Sequence, residues 1–521
     1  MNILHTKKFR HGSVSLALTV VIVAAVILFN AIFSALANKF LWFIDMTSEQ
    51  MYSLTDDAKA LLDGMDQSKE VEIIFCAAAD IMEANATQRF PLYTARDIAE
   101  RYPNVKVKHV DVMINPSAVN KYKAHTGNDI NSQSIIVASG TECRVYALEA
   151  LYNYDSNTKE AIGYNGEQRL VSGLLAVTRV EMPVACITTN HGEKDNGNID
   201  ALANLLYETG YDVKAIDLSK EEIPADCRLL AVFDPQTDFM GRSETSDISE
   251  LEKLDAFLDA KNAMMVFFDY ETPKLPAFEA FLDEWGIAIA RHEDSSVLIR
   301  DLDNSFTTSG YTTIGSYVPG TGVGSSVTAP LTKDKYPKSV VFPYATAIVS
   351  TYEALYNDNA DCWTGYYYKN GVERNSYDVF TSSIQADAIA NEQKLKDSEL
   401  NAIGLSNPQQ IPFSYMKITQ ETFIEDGKET YSYLLACAST DFCSSSALSS
   451  SYGNHTVLAY ACSIMGRDVV AVSLDCKYFG QTEITNIKAS EANQYTIVLT
   501  VVPAAVIFIA GIYFMVRRKY A

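Results

Sequence analysis

Val184 to Thr189 reads VACITT, and Asn190-His191-Gly192-Glu193 follows it directly. A short, continuously apolar run that turns polar at one residue is the mark of a strand covered on both faces and ending at a loop. The same unit recurs downstream. A helix spans about Ile199 to Glu208, and a strand spans Tyr211 to Ile216. Leu229 to Phe233 forms a third strand, ending at Asp234-Pro235, and Ile248 to Ala260 an amphipathic helix. Ala263 to Phe268 (AMMVFF) ends at Asp269, and a helix spans Ala277 to Trp285. Strands alternating with helices predict a doubly wound parallel sheet with helices on both faces. A late strand, Tyr431 to Ala438 (YSYLLACA), a helix over Asn454 to Met465 and a strand over Val469 to Leu474 complete that sheet.

Upstream, Leu54, Ala58, Leu61 and Leu62 recur at helical spacing behind Thr55, an N-cap residue. Val71 to Cys76 is a strand, Tyr93 to Tyr102 the later part of a helix, and Val105 to Val110 an alternating strand. Ser134 to Ala138 and Glu142 to Tyr146 flank the hairpin turn Ser139-Gly140. This βαβαββ order predicts a thioredoxin-like layout, but with no CxxC there is no redox chemistry to accompany it. The domain reading is a tail at 1–11, a membrane helix at 12–38 and a thioredoxin-like domain at 48–150. A connecting helix follows at 151–182, then the central α/β sheet domain at 183–301. A loop-rich insertion at 302–430 precedes the completion of the sheet at 431–485, a membrane helix at 494–516 and a tail at 517–521.

The two membrane assignments rest on charge-free runs. Gln494 to Val516 is QYTIVLTVVPAAVIFIAGIYFMV, with Arg517, Arg518 and Lys519 behind it. Such a run matches the ~20 apolar residues needed to cross a bilayer, and the basic triplet reads as a cytoplasmic stop. Residues 12–38 form a second run behind Lys7, Lys8 and Arg10. It reads as a retained helix, or as a cleaved signal peptide with Ala35-Leu36-Ala37 as its processing site. The retained reading predicts a two-pass plasma-membrane protein with cytoplasmic termini and an extracytoplasmic body.

The net charge of −23 disfavours nucleic acid as a partner. The nine cysteines are irregularly spaced, with no CxxC and no zinc spacing; Cys437 and Cys443 are the pair open to bridging. There is no G-x-x-x-x-G-K-[ST], no G-x-S-x-G and no H-E-x-x-H. No motif for a cofactor or a metal is present.

In open α/β sheets, ligands collect outside the carboxyl ends of the strands. His191 and Glu193 lie beyond the first strand, and Asp234, Asp269 and Asp441 approach the same edge. Such a group can bind a cation or a sugar, or move protons. The alternative is a turn in which Gly192 supplies backbone freedom and the acids cap helices. No nucleophile accompanies the group.

Tyr52-Ser53-Leu54-Thr55, Gly166-Glu167-Gln168, Asn190-His191-Gly192-Glu193, Gly210-Tyr211-Asp212-Val213, Ile223-Pro224 and Asp234-Pro235 occur in that order. In this the chain resembles the gliding-motility-type (GldG-like) auxiliary components of ABC transporters. The resemblance is sharpest from Tyr52 to Asp269 and weakest from Gly310 to Pro412. Asn190 stands where the family pattern Gly-His-Gly-Glu has its first glycine. The resemblance implies membrane helices at both ends and a glutamine-amidotransferase-like central sheet without its catalytic Cys. It also implies a non-enzymatic subunit serving a separate ATPase and a multi-span permease, binding or gating cargo or a surface polymer. Two other readings are a tethered receptor for a saccharide or peptide and a hydrolase working through His191 and Glu193.

Overall fold

Two sheets carry the chain. The computed structural model describes residues 20–21, 23–32, 50–85, 88–123, 130–154, 160–179, 183–194, 196–241, 249–333, 337–357, 362–405, 412–425, 427–449, 451–466, 474, 476–479, 509, 511, 513 and 516–517. Met1–Lys477 forms one unit and Tyr478–Ala521 another.

The first sheet is built from β1 (Val71–Phe75), β2 (Val105–His109), β3 (Ser134–Ser139) and β4 (Glu142–Ala147), in the order β2-β1-β3-β4. β1 runs parallel to β2 and antiparallel to β3. β3 and β4 form a hairpin, with Gly140 at φ +61° supplying the turn. Helix α1 (Asp56–Asp63) starts at Thr55, whose hydroxyl accepts the Ala58 N–H at 3.2 Å. Helix α2 (Arg89–Arg101) joins β1 to β2, and α3 (Gly166–Thr178) packs its Leu170 and Leu174 face on β3 and β4.

The second sheet has twelve strands among the described residues. Its path uses β5 (Val184–Thr188), β6 (Asp212–Ile216), β7 (Cys227–Phe233), β8 (Ala263–Phe267), β9 (Glu353–Asn357), β10 (Cys362–Lys369), β11 (Val372–Thr381), β12 (Ser414–Glu425) and β13 (Lys428–Cys437). The order is β9-β10-β11-β12-β13-β8-β7-β5-β6. The pairs from β13 to β6 are parallel, and those from β9 to β13 are antiparallel. The fold is therefore mixed α/β, with parallel and antiparallel strands in one sheet. Side chains alternate between two cores, as a two-residue period requires. Ile187, Ala231, Met265 and Leu435 enter one core; Cys186, Leu230, Val266 and Leu434 enter the other. Helices α4 (Asn198–Glu208), α5 (Glu250–Asp259), α6 (Pro276–Glu284), α7 (Val323–Lys333) and α8 (Asn454–Gly466) complete the elements used below.

Three expectations need correction. The stretch 302–430 is not loop-rich: it holds α7 and the antiparallel strands β9 to β12. These strands carry Thr, Asn and Glu on half-exposed positions, so their pattern lacks the apolar run of a doubly covered strand. The membrane helices at 12–38 and 494–516 are not upheld, and neither is the two-pass plasma-membrane location built on them. Among the described residues no helix is long and apolar enough to cross a membrane. Of the first run, only residues 20–21 and 23–32 are among the described residues. Most of 494–516 lies outside the described residues. Cys437 and Cys443 are both buried and unbridged. The strand expected over Val469 to Leu474 falls outside the described residues except at Leu474.

Candidate functional site

The loop after β5 is a turn with two left-handed residues, Asn190 at φ +81° and Gly192 at φ +72°. Asparagine enters that region more readily than other side-chain-bearing residues, so Asn190 fits where a glycine is expected. The turn ties two strand ends together: the His191 carbonyl accepts the N–H groups of Gln236 at 2.7 Å and Thr237 at 2.9 Å.

His191 is 3% exposed. Its ring stacks on Phe239 at 3.8 Å, and Phe239 stacks on Phe278 at 4.5 Å. Nε2 lies 3.2 Å from Glu250 at the start of α5, and Nδ1 lies 3.6 Å from Glu193. Burial pulls the imidazole pKa down, but the two carboxylates outweigh it and hold it above its ordinary value. Glu250 also accepts the Met240 N–H at 2.8 Å. His191 is thus sandwiched between an aromatic stack and two acids.

The acids at the strand ends form a separate group. Asp234, 2% exposed, accepts the Thr272 hydroxyl at 2.9 Å and the Gln236 amide at 2.9 Å. Burial, then the neighbouring Asp269 charge, pushes its pKa up to about 6. Asp269 accepts the Thr440 hydroxyl at 2.6 Å and the Glu271 N–H at 2.7 Å. Asp441 accepts the Asn198 amide at 3.0 Å, fastening β13's end to α4. Lys194 pairs with Glu271 at 2.9 Å. The structure therefore places Asp234 and Asp269 together through Thr272, brings Asp441 to Thr440's neighbourhood, and gives His191 and Glu193 other partners. Among the described residues no group of His, Cys, Asp and Glu is arranged to hold a metal ion.

A second site had no signal in the sequence. Three helix ends meet beside the first sheet: Arg169 near the start of α3, Glu208 at the end of α4, and His455 at the start of α8. Asn454 sets the last of these. Its amide oxygen accepts the Val341 N–H at 2.9 Å and its amide nitrogen donates to the Val341 carbonyl at 2.8 Å, so the side chain is buried and structural. Arg144 fixes α4 against β4 by lying 4.0 Å over the Tyr207 ring. An acid at a helix carboxyl end opposes the helix dipole, and here two partners offset that. Glu208 lies 3.1 Å from His455 and 3.6 Å from Arg169. Burial disfavours the charged form of Glu208, but the His455 hydrogen bond and the Arg169 charge hold its pKa below the ordinary value. Burial, then the Arg169 charge, keeps the His455 pKa low. These residues line a cleft of about 380 Å³, with Lys338, Asn153 and Tyr452 on its other walls. That volume falls in the range of small-molecule sites. Arg169 and His455 lie 286 positions apart, which is why no local motif reveals the site.

The motifs that carried the family resemblance also meet. Glu167 of Gly166-Glu167-Gln168 accepts both the backbone N–H and the hydroxyl of Thr55, at 2.7 and 2.8 Å. Its other oxygen pairs with Lys477 at 2.5 Å, and both Glu167 and Lys477 side chains are 3% exposed.

No protein-family model matches this chain, and no curated protein matches it. Among solved structures, it is similar to a cytoplasmic protein from Salmonella typhimurium at 9% identity, over 53% of this chain and 98% of that one, with a TM-score of 0.24. It is also similar to a ThuA-like protein from Parabacteroides merdae at 12% identity, over 57% and 97%, with a TM-score of 0.24. A TM-score that low transfers neither fold nor function.

Proposed function

We propose that this protein is a non-catalytic binding subunit serving a transport system whose ATPase and multi-span permease are separate chains. The observation that carries the non-catalytic part is the engagement of the strand-end groups. His191 is stacked and flanked by Glu193 and Glu250, and Asp234, Asp269 and Asp441 accept bonds from Thr272, Thr440 and Asn198. The hydroxyls that meet Asp234 and Asp269, on Thr272 and Thr440, are only 2% and 4% exposed, which speaks against their use as nucleophiles in acyl or phosphoryl transfer. The transport part rests on the resemblance of the ordered motifs from Tyr52 to Asp269. In the same reading the first sheet is thioredoxin-like, and the parallel half of the large sheet is a doubly wound, glutamine-amidotransferase-like sheet without its cysteine. Cargo is then a saccharide or a peptide, the class the polar cleft favours.

A tagged full-length chain is expected to co-purify with an ATPase and a permease from gentle detergent extracts. Recovery of the chain alone, with crosslinking also negative, sinks the transport assignment. His191→Ala separates binding from hydrolysis: cargo-dependent function that persists in a folded variant leaves a hydrolase reading without its base.

A further inference from the structure

Arg169 directs its terminal nitrogens at His455 and leaves Nε without a hydrogen bond among the described residues. Its terminal nitrogens lie 3.2–3.3 Å from both ring nitrogens of His455. The in-plane directions of Nδ1 and Nε2 diverge, so contact with both places the guanidinium over the ring rather than at its edge. The carboxylate of Glu208 is 3.6 Å away, beyond hydrogen-bond range. Nε is buried and makes no hydrogen bond. A guanidinium carries five donors in a rigid fork, and buried polar groups are ordinarily satisfied. This one borders a cleft of about 380 Å³.

Across the cleft, Lys338 is 6% exposed and donates to Asn153 at 2.8 Å. Arg169 and Lys338 therefore line one small space, with the carboxylates of Glu149 and Glu208 on the same lining to accept hydroxyls. Ser449 and Thr456 add hydroxyls, and Tyr452 adds an aromatic wall. We propose that this cleft binds a small polyhydroxylated ligand bearing one carboxylate or phosphate, a hexuronic acid or a sugar phosphate. Arg169 takes the oxyanion with the terminal-nitrogen hydrogens that His455 leaves over, as guanidinium groups do with both anions. Lys338 supplies the second positive charge, and the hydroxyl and amide groups meet the sugar hydroxyls. His455, hydrogen-bonded to both terminal nitrogens, and Glu208 at 3.6 Å hold the guanidinium in place. The assignment rests on the binding reading above and gives it a site and a ligand class.

The test uses glucuronate and glucose 6-phosphate, with neutral glucose as control, against the full-length chain in thermal-shift and calorimetric titrations. At least one anion is expected to raise the melting temperature by mass action, while glucose does not. Arg169→Gln is expected to weaken that anion roughly tenfold or more, the loss of a charge-assisted fork. Far-UV circular dichroism of the free variant checks its fold. If Arg169→Gln does not fold, Ser449→Trp, on the cleft wall, is expected to abolish binding by filling it. No response to either anion, a response to glucose equal to theirs, or undiminished binding in the folded variants overturns the proposal. Anion binding without transport partners removes the transport reading and leaves the cleft standing. Transport partners without anion binding removes the cleft alone.

Discussion

Asp234 is held at φ +44° with its carboxyl buried, and its pKa is raised to about 6. An unfolded aspartate titrates near 3.8. Between these values the native state binds more protons than the unfolded one, so stability falls as pH rises from about 4 to about 6. The loss is on the order of 3 kcal/mol, since tenfold in a proton equilibrium corresponds to about 1.4 kcal/mol. Asp234→Asn keeps an acceptor for Thr272 and tolerates the left-handed backbone. It is expected to be more stable than the parent at pH 7.5 and to lose that advantage near pH 4. Urea unfolding at both pH values measures this; an equal effect at both excludes titration as the cause. The candidate residues were legible singly, because His191, Asp234 and Asp269 follow apolar strand runs. Their grouping was not, because side-chain direction after the last strand residue decides the partner. His191 turns to Glu250 on α5, while Asp234 turns to Thr272.

At the scale of elements, α1 begins where its sequence says it does. Thr55 caps it, but the same residue also feeds Glu167, 112 positions away, which Lys477 neutralises. Lys477 donates to the Gln50 and Ser53 carbonyls as well, at 2.7 Å each. Three segments thus share one buried charge pair. Lys477→Met leaves Glu167 buried without its cation and is expected to cost about 3–5 kcal/mol. Thr55→Ala loses the cap, about 1 kcal/mol, and also one bond to Glu167. Adding Glu167→Gln to Lys477→Met is expected to restore part of the loss, because no unpaired charge then remains. A double-mutant cycle in thermal melts reads the coupling. If the losses simply add, the pair is not the fastening described.

For the whole molecule, β13 is the seam. It runs parallel to β8 on one side and antiparallel to β12 on the other, so it joins the two halves of the large sheet. Leu435 is fully buried in the core beneath it. Leu435→Ala is expected to cost about 2–5 kcal/mol through the cavity it leaves. Hydrogen exchange is expected to speed for amides in both β7 and β12, since both lean on β13 through at most one intervening strand. Acceleration confined to one side means the halves open independently.

The sequence alone determined the strands buried on both faces, the helices between them, the first sheet's hairpin and the cap of α1. All of these are set by local periodicity and by residues whose backbone preferences act within a few positions. Only the tertiary structure decided that 302–430 belongs to the sheet, since strands with one polar face carry no continuous apolar run. It alone joined Glu167 to Thr55 and Lys477, and placed Arg169, Glu208, His455 and Lys338 around one cleft. Charges so far apart along the chain have no energetic reason to be read together until packing brings them within hydrogen-bond reach and strips their water.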